Sequence, residues 1–390
     1  MNNNDSAIEI KNKRPSFAVI DLGAIGRNVR KWKQMLSSAR KCRLMAVVKA
    51  NGYGHGAVPV AKRVVEEGAD WLGVALAQEA MELREAGISV PIQVLGYAEP
   101  SAYGALIEAD VRITIYSLDQ GEALAQAARA VGKTAKVHIK VDTGMGRIGF
   151  LPGETAEAEI LALKAMEGLE LEGCFTHLAR ADEDGEESEE SWRGQISLFR
   201  DFLARMRESG VDFAITHCAN TAAGMREAAA FLDMWRVGIG VYGLYPSPAA
   251  KDWGLIDLEP ALSWKSILSH VKWIQPGCGV GYGHSWKAEK ETLIGTIPIG
   301  YADGYSRSLA NKSQVLVGGH KAPVIGSVCM DQIILDLTGA PDAKPGDEVV
   351  LIGRQGDEVV GAEDLSGLLG TSCYEIVCVV GSRVPRHYIG

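Results

Sequence analysis

Residues 46–57 read AVVKANGYGHGA: an apolar run ends in Lys49, and glycines then carry the chain past Tyr53 and His55. A lysine against apolar walls loses solvation, so its pKa, about 10.4 in water, falls toward neutrality. The neutral amine can attack a carbonyl carbon and form a Schiff base, and pyridoxal phosphate is the commonest partner for that chemistry. Other polar residues close similar runs. Lys140, Asp142 and Arg147 lie in KVDTGMGRIGF, His177 ends CFTH, His217 opens HCANTAA and Arg236 lies in RVGIGVYG. Arg147 could hold a carboxylate through two parallel hydrogen bonds, or form a structural ion pair with Asp142. His177 and His217 suit catalysis or a hydrogen-bonded place in a core. A phosphate needs a hydroxyl and backbone N–H groups, which Thr221, Gly238 and Ile239 offer. The alternative is an N-capping threonine and a packing glycine.

The elements that must position these groups follow a regular order. Eight β-branched runs, LMAVVK, WLGVA, PIQVLG, RITIY, KVHIKVD, LELEGCFTH, FAITH and LDMWRVG, alternate with segments of helical periodicity such as VPVAKRVVEEG. This pattern predicts an α/β fold with an N-terminal (β/α)8 TIM-like barrel, whose carboxyl strand ends gather functional groups. A doubly wound open sheet is the rival, because periodicity does not report closure. Beyond YPSPAAKDWG short strands separated by QPGCG and KPGDE turns predict a mainly antiparallel β domain. The expected division is a polar lead-in at 1–15, a barrel at 16–245 and a β domain at 246–390, with the strand FAVID (about 16–21) joining the latter. ADEDGEESEE (181–190) is read as a solvated loop, lacking the ordered ligand spacing of a metal site.

The chain has 390 residues and is 47% hydrophobic, enough for two cores. A net charge of −9 argues against nucleic acid or acidic membranes as partners. No run is long enough to span a bilayer, and the polar start lacks the apolar segment of a secretion signal. Seven dispersed cysteines without a CxxC fit free thiols in a reducing cytoplasm.

AVVKANGYGHG, KVDTGMGRIG, THLARAD, HCANTAA, WRVGIGVYGL, IPIGYADGYSR and CMDQ, followed by GDEVVLIGRQGDEV and CYE, stand in the order found in bacterial alanine racemases. The chain resembles that family over nearly all of its length after the first fifteen or so residues. The resemblance implies a cytoplasmic pyridoxal 5'-phosphate homodimer with shared active sites, interconverting L- and D-alanine. Lys49 then corresponds to the Schiff-base lysine and the base for the D enantiomer. Tyr282, in VGYGHSW, corresponds to the opposite base, contributed by the other subunit. His177, Arg236, Lys140 and Asp331 support them, with Arg236 bonding the pyridine nitrogen and leaving it largely unprotonated. Tyr53, Thr221, Gly238, Ile239 and Tyr374 resemble the phosphate ligands, and His217 belongs to the cofactor set. Arg147 and the partner's Met330 resemble substrate-carboxylate contacts, Tyr301 and Arg307 line the access corridor, and Lys140 matches a lysine often carbamylated.

The chain departs from the family's pattern at two places. Thr221 stands where serine is frequent, which keeps the hydroxyl but shifts the phosphate's fit. Ser372 stands where bulkier aliphatic residues are common, which loosens the substrate corridor; the retained Tyr374 points back toward alanine, with serine the expected second substrate. A decarboxylase of the same fold would show a triple-glycine phosphate loop and an acidic partner for the pyridine nitrogen. A non-catalytic cofactor carrier would lack the second domain. The resemblance leaves open whether D-alanine supplies a cell wall or serves catabolism or resistance.

Overall fold

The computed structural model describes residues 14–36, 42–227, 230 and 232–390. The chain divides into two compact units. One is Ile25–Glu259; the other joins the described residues up to Ala24 with Pro260–Gly390.

After β1 (Phe17–Asp21) and the helix Leu22–Met35, the first unit supplies eight parallel strands: β2 (Arg43–Val47), β3 (Trp71–Val74), β4 (Ile92–Val94), β5 (Val111–Ile115), β6 (Ala135–Lys140), β7 (Leu169–Phe175), β8 (Ile215–His217) and β9 (Met234–Val237). Each pairs with its sequence neighbour from β2 to β8, and β9 returns to lie beside β2. That return distinguishes a barrel from the open sheet. The seam between β8 and β9 is closed by single bonds instead of a ladder. Asp233 N–H donates to Thr216 O at 2.9 Å, and its carboxylate takes the Thr216 N–H and hydroxyl at 2.8 and 2.7 Å. Met45, Trp71, Ile215 and Met234 form a buried cluster. The intervening helices are amphipathic; in Ala57–Glu66 the buried residues Ala57, Val60, Ala61 and Val64 share one face.

The acidic run at 181–190 is not wholly a loop. Glu186 opens a 23-residue helix ending at Glu208, with Glu186, Glu187 and Glu189 in its first turn and Arg205 and Arg207 in its last. Charge of that polarity complements the helix dipole, so acidity here marks a helix start.

The second unit holds β10 (Leu262–Ile267), β11 (His270–Ile274), β12 (Gly279–Val280), β13 (Trp286–Lys287), β14 (Thr292–Ile297), β15 (Gln314–Val317), β16 (His320–Ile325), β17 (Ile333–Asp336), β18 (Glu348–Gln355), β19 (Glu358–Val360) and β20 (Arg386–Ile389). Pairing is antiparallel except between β1 and β20, and β1 lies between β10 and β20. The separate hairpin β12–β13 carries Tyr282 in its connection. All seven cysteines are free, and among the described residues no helix is long and apolar enough to cross a membrane.

Candidate active site

β2 delivers Lys49 to an unusual turn. Ala50, Asn51, Gly52 and Tyr53 have φ of 53°, 52°, 59° and 50°, a left-handed helical turn in which three of four residues bear side chains. Each such residue costs about 1–2 kcal/mol. The turn is held from several sides. Glu79 Oε1 accepts the Ala50 N–H at 2.6 Å, while Oε2 accepts those of Ala75 and Leu76 at 2.8 and 3.1 Å. Asn51 Oδ1 accepts from Ala57 N–H at 2.9 Å. Such strain concentrates at functional sites because a scaffold must fix it. Tyr53 ends buried, its ring 5.0 Å from that of Tyr242, whose hydroxyl bonds Val47 O at 3.0 Å and so returns to β2. His55 Nδ1 lies 2.8 Å from Tyr53 O beneath the turn.

Tyr53, Thr221 and Gly238 converge. A Cβ at Gly238 would stand 2.8 Å from the Tyr53 hydroxyl, which would have to move, and 4.0 Å from Thr221 Oγ1, in ordinary contact. The Gly238 N–H, which the sequence offers to a phosphate, donates here to Thr221 Oγ1 at 3.0 Å. Thr221 is not the helix cap. Asn220 caps Thr221–Arg226 by accepting the Ala223 N–H at 3.0 Å, which frees the threonine hydroxyl for the loop after β9. Ile239 opens a short 3-10 helix, Ile239–Tyr242.

Arg236, on β9, is 4% exposed and bonds no carboxylate among the described residues. Its Nη1 donates to His217 Nδ1 at 2.8 Å. Its Nη2 donates to Thr176 O and Cys218 O, both at 3.0 Å, and to His177 Nδ1 at 3.2 Å. Burial lowers this guanidinium to about 10, still cationic at neutral pH. Burial and then the Arg236 charge push His177 and His217 well below the usual imidazole range, so both are neutral. His217 stacks on Phe175 with centroids 4.7 Å apart. Its nitrogens face Arg236 and His138, so it acts on the site through Arg236.

Lys140 closes β6 at 2% exposure and donates to Val141 O at 2.8 Å. Burial and the Arg236 charge lower its amine from 10.5 to about 8. The ion pair between Asp142 and the Arg147 side chain does not form among the described residues. Asp142 instead grips its own loop, taking N–H bonds from Gly144, Met145, Gly146 and Arg147 at 2.8–3.1 Å. The glycines of this loop therefore serve a carboxylate within the chain, and the exposed Arg147 guanidinium is left to other work.

The second unit holds the remaining candidates. Tyr282 is 73% exposed, and its carbonyl accepts from Ser327 Oγ at 3.0 Å. Tyr301 and Met330 are 41% and 53% exposed. Their loops are tied together, with Tyr301 N–H donating to Cys329 O and Ala302 N–H to Met330 O, both at 3.1 Å. Asp331 accepts from Arg383 Nη2 at 2.7 Å. Arg307 is exposed and opens the 3-10 helix Arg307–Leu309, and Tyr374 is half-buried in the helix Cys373–Cys378.

Several participants escaped the sequence reading: Glu79, His138, Glu172, Asn220 and Arg383. His138 had a signal, since it precedes Lys140 by two on one strand and so shares its face. Glu79 had none, because its role depends on a turn that no local pattern announces.

The first unit thus offers an amine, an isolated buried cation and a hydroxyl-lined recess, a set suited to a phosphorylated ring with a carbonyl. Comparisons with known proteins agree. Residues 20–246 match the profile described as alanine racemase, N-terminal domain, and residues 261–388 the alanine racemase C-terminal domain. The chain is 47% identical over 378 residues to the alanine racemase of Desulforamulus reducens, covering 97% of this chain and 100% of that protein. It is 45% identical over 383 residues to that of Symbiobacterium thermophilum, covering 98% and 99%. The crystal structure of alanine racemase from Bacillus anthracis with bound L-Ala-P matches with a TM-score of 0.91 at 38% identity, covering 97% of this chain and 95% of that one.

Proposed function

We propose how this chain works from one premise: it belongs to the alanine racemase family. It is a pyridoxal-phosphate-dependent enzyme that interconverts L- and D-alanine. The residues fit that cofactor. The recess that a Gly238 Cβ would fill carries two hydroxyls for a phosphate, and among the described residues the buried Arg236 cation bonds no carboxylate. Lys49 would hold the aldehyde carbon. Tyr53, Thr221, Gly238, Ile239 and Tyr374 would hold the phosphate, and Arg236 the pyridine nitrogen. When bound, the conjugated ring disperses the charge left as the α-proton departs.

Racemization needs a base on each face of the α-carbon. Lys49 takes or returns the proton on the face used by D-alanine. Tyr282 of the partner subunit does so on the face used by L-alanine. The reading of a homodimer with shared sites is supported by a phenol that stands 73% exposed at the tip of a hairpin. A phenol titrates near 10 and needs help to ionise. Because Arg236 can only donate, His177 accepts at Nδ1 and, being neutral, keeps its proton on Nε2. That N–H is the donor we assign to the phenolate. Arg147 holds the substrate carboxylate together with Met330 of the partner subunit. Lys140, lowered to about 8, is nucleophilic enough to take up carbon dioxide, and the carbamate would orient Arg147. Asp331, anchored by Arg383, steadies the loop of Met330. Tyr301 and Arg307 line the access corridor. The seven free thiols support a reducing, cytoplasmic setting.

The observation that carries this reading is the buried Arg236 beside the recess of Tyr53, Thr221 and Gly238. Borohydride reduction followed by peptide mapping tests it: the pyridoxyl adduct is expected on Lys49, and an adduct elsewhere in active protein refutes the assignment. Assay of single enantiomers of alanine and serine for the mirror-image product then measures how far Ser372 relaxes specificity.

A further inference from the structure

Behind Arg236 the polar groups continue into the barrel. His217 Nε2 lies 3.0 Å from His138 Nδ1, and His138 Nε2 lies 3.3 Å from Glu172 Oε2. The Glu172 carboxylate meets Arg112 as well, Oε2 at 3.0 Å from Nε and Oε1 at 3.3 Å from Nη2. Both histidines are fully buried. Space for the second ring is provided in the strand opposite, where a Cβ at Gly173 would stand 2.5 Å from His138 Cε1.

The direction of this chain is dictated at its ends. A guanidinium only donates, so His217 Nδ1 must accept, and a neutral His217 then carries its proton on Nε2. That N–H points at His138 Nδ1, which must accept in turn. His138 therefore carries its proton on Nε2 and needs an acceptor there. An ionised carboxylate only accepts, and Glu172 is the residue present. Burial alone would raise this carboxyl, but bonds from His138 and Arg112 and the Arg112 charge bring it down to about 2. A donor in place of Glu172 would reverse the last bond and set an N–H of His217 against Arg236.

We propose that Glu172 is a positioning residue for the reaction, closing a one-way chain of hydrogen bonds that fixes the tautomers of His138 and His217 and thereby the orientation of Arg236. The effect reaches the chemistry only through Arg236, and it rests on the reading that Arg236 faces the pyridine nitrogen. Second-sphere partners of this kind are the usual means of fixing an imidazole tautomer.

The test uses 15N-histidine-labelled holoenzyme, full length. Wild-type protein is expected to show His138 and His217 both protonated on Nε2 and bare on Nδ1. Glu172→Leu should leave His138 in mixed tautomers and shift the absorption band of the bound cofactor. It should also lower kcat on the order of tenfold, the scale seen when an outer hydrogen-bond partner is removed. KM should stay within about twofold, because the substrate contacts are untouched. Glu172→Gln, whose carbonyl oxygen can stand in for Oε2 but whose NH2 then opposes Arg112 Nη2, should fall between. Glu170→Gln, exposed on the same strand, should change nothing. A proton on Nδ1 of His217 in the wild type overturns the proposal. So do folded Glu172 variants with unaltered tautomers, band and kcat. Should Glu172→Leu fail to fold, the wild-type tautomers and Glu172→Gln decide the matter. Lys49 mapping is independent, so a failed cofactor assignment is distinguishable from a failed relay.

Discussion

Lys140 and Gly238 show what single side chains contribute. The Lys140 amine, lowered from 10.5 to about 8, binds a proton more weakly in the folded chain than in the unfolded one. Below about pH 8 both states are protonated and the full penalty applies, about 3 kcal/mol. It fades as pH rises toward 10.5, because only the unfolded chain still holds the proton. In bicarbonate-free buffer, Lys140→Met is therefore expected to raise the urea midpoint at pH 7, with the gain shrinking as pH rises from 8 to 10.5. A gain that stays constant with pH contradicts this account. At Gly238 the added methyl of Gly238→Ala displaces the Tyr53 hydroxyl, and loss of one such bond should weaken pyridoxal phosphate binding about tenfold. Fluorescence titration of the cofactor-free protein measures it. The residue types were legible because Lys49, Lys140, His177, His217 and Arg236 each close a β-branched run, where a barrel gathers its functional groups. Their partners were not, since Arg236, His217, His138 and Glu172 come from four strands.

At the scale of elements, the left-handed turn after Lys49 matters most. Its sequence, KANGY, looks like a flexible glycine turn. Yet the Glu79 carboxylate, from the helix Ala77–Glu85, holds the Ala50 N–H with one oxygen and those of Ala75 and Leu76 with the other, tying the turn to that helix start. Glu79→Ala should destabilise the chain by about 1–2 kcal/mol through the lost cap and anchor. It should also slow the reaction, because the amine of Lys49 loses its fixed approach. Urea unfolding and kcat measure the two effects, and unchanged kcat would show that the turn holds itself. The helix opening at Glu186 teaches a similar lesson. Its acidic residues suggested open solvent by composition, whereas their place before an amphipathic run set them at a helix N-terminus.

The whole molecule raises the question of shared sites. If Lys49 and Tyr282 serve one reaction from two subunits, Lys49→Ala and Tyr282→Phe parents are each inert. Heterodimers then regain one complete site. With random subunit exchange half the dimers are mixed and half their sites are whole, so about a quarter of wild-type activity should return. Mixed dimers shown by mass spectrometry that remain inert would place both bases in one chain.

The sequence by itself determined the eight strands and the residue types that could do chemistry, whereas its division at residue 246 falls short of Glu259–Pro260, where the two compact units part. The strands and residue types depend on periodicity and side-chain identity, which are local properties. Only the tertiary structure decided that β9 returns to β2 and that Glu172 lies at the end of a relay beginning at Arg236. Each of those facts is a contact between residues far apart in the chain. Such contacts are set by barrel closure and by which way each strand faces, and no neighbouring residue carries that information.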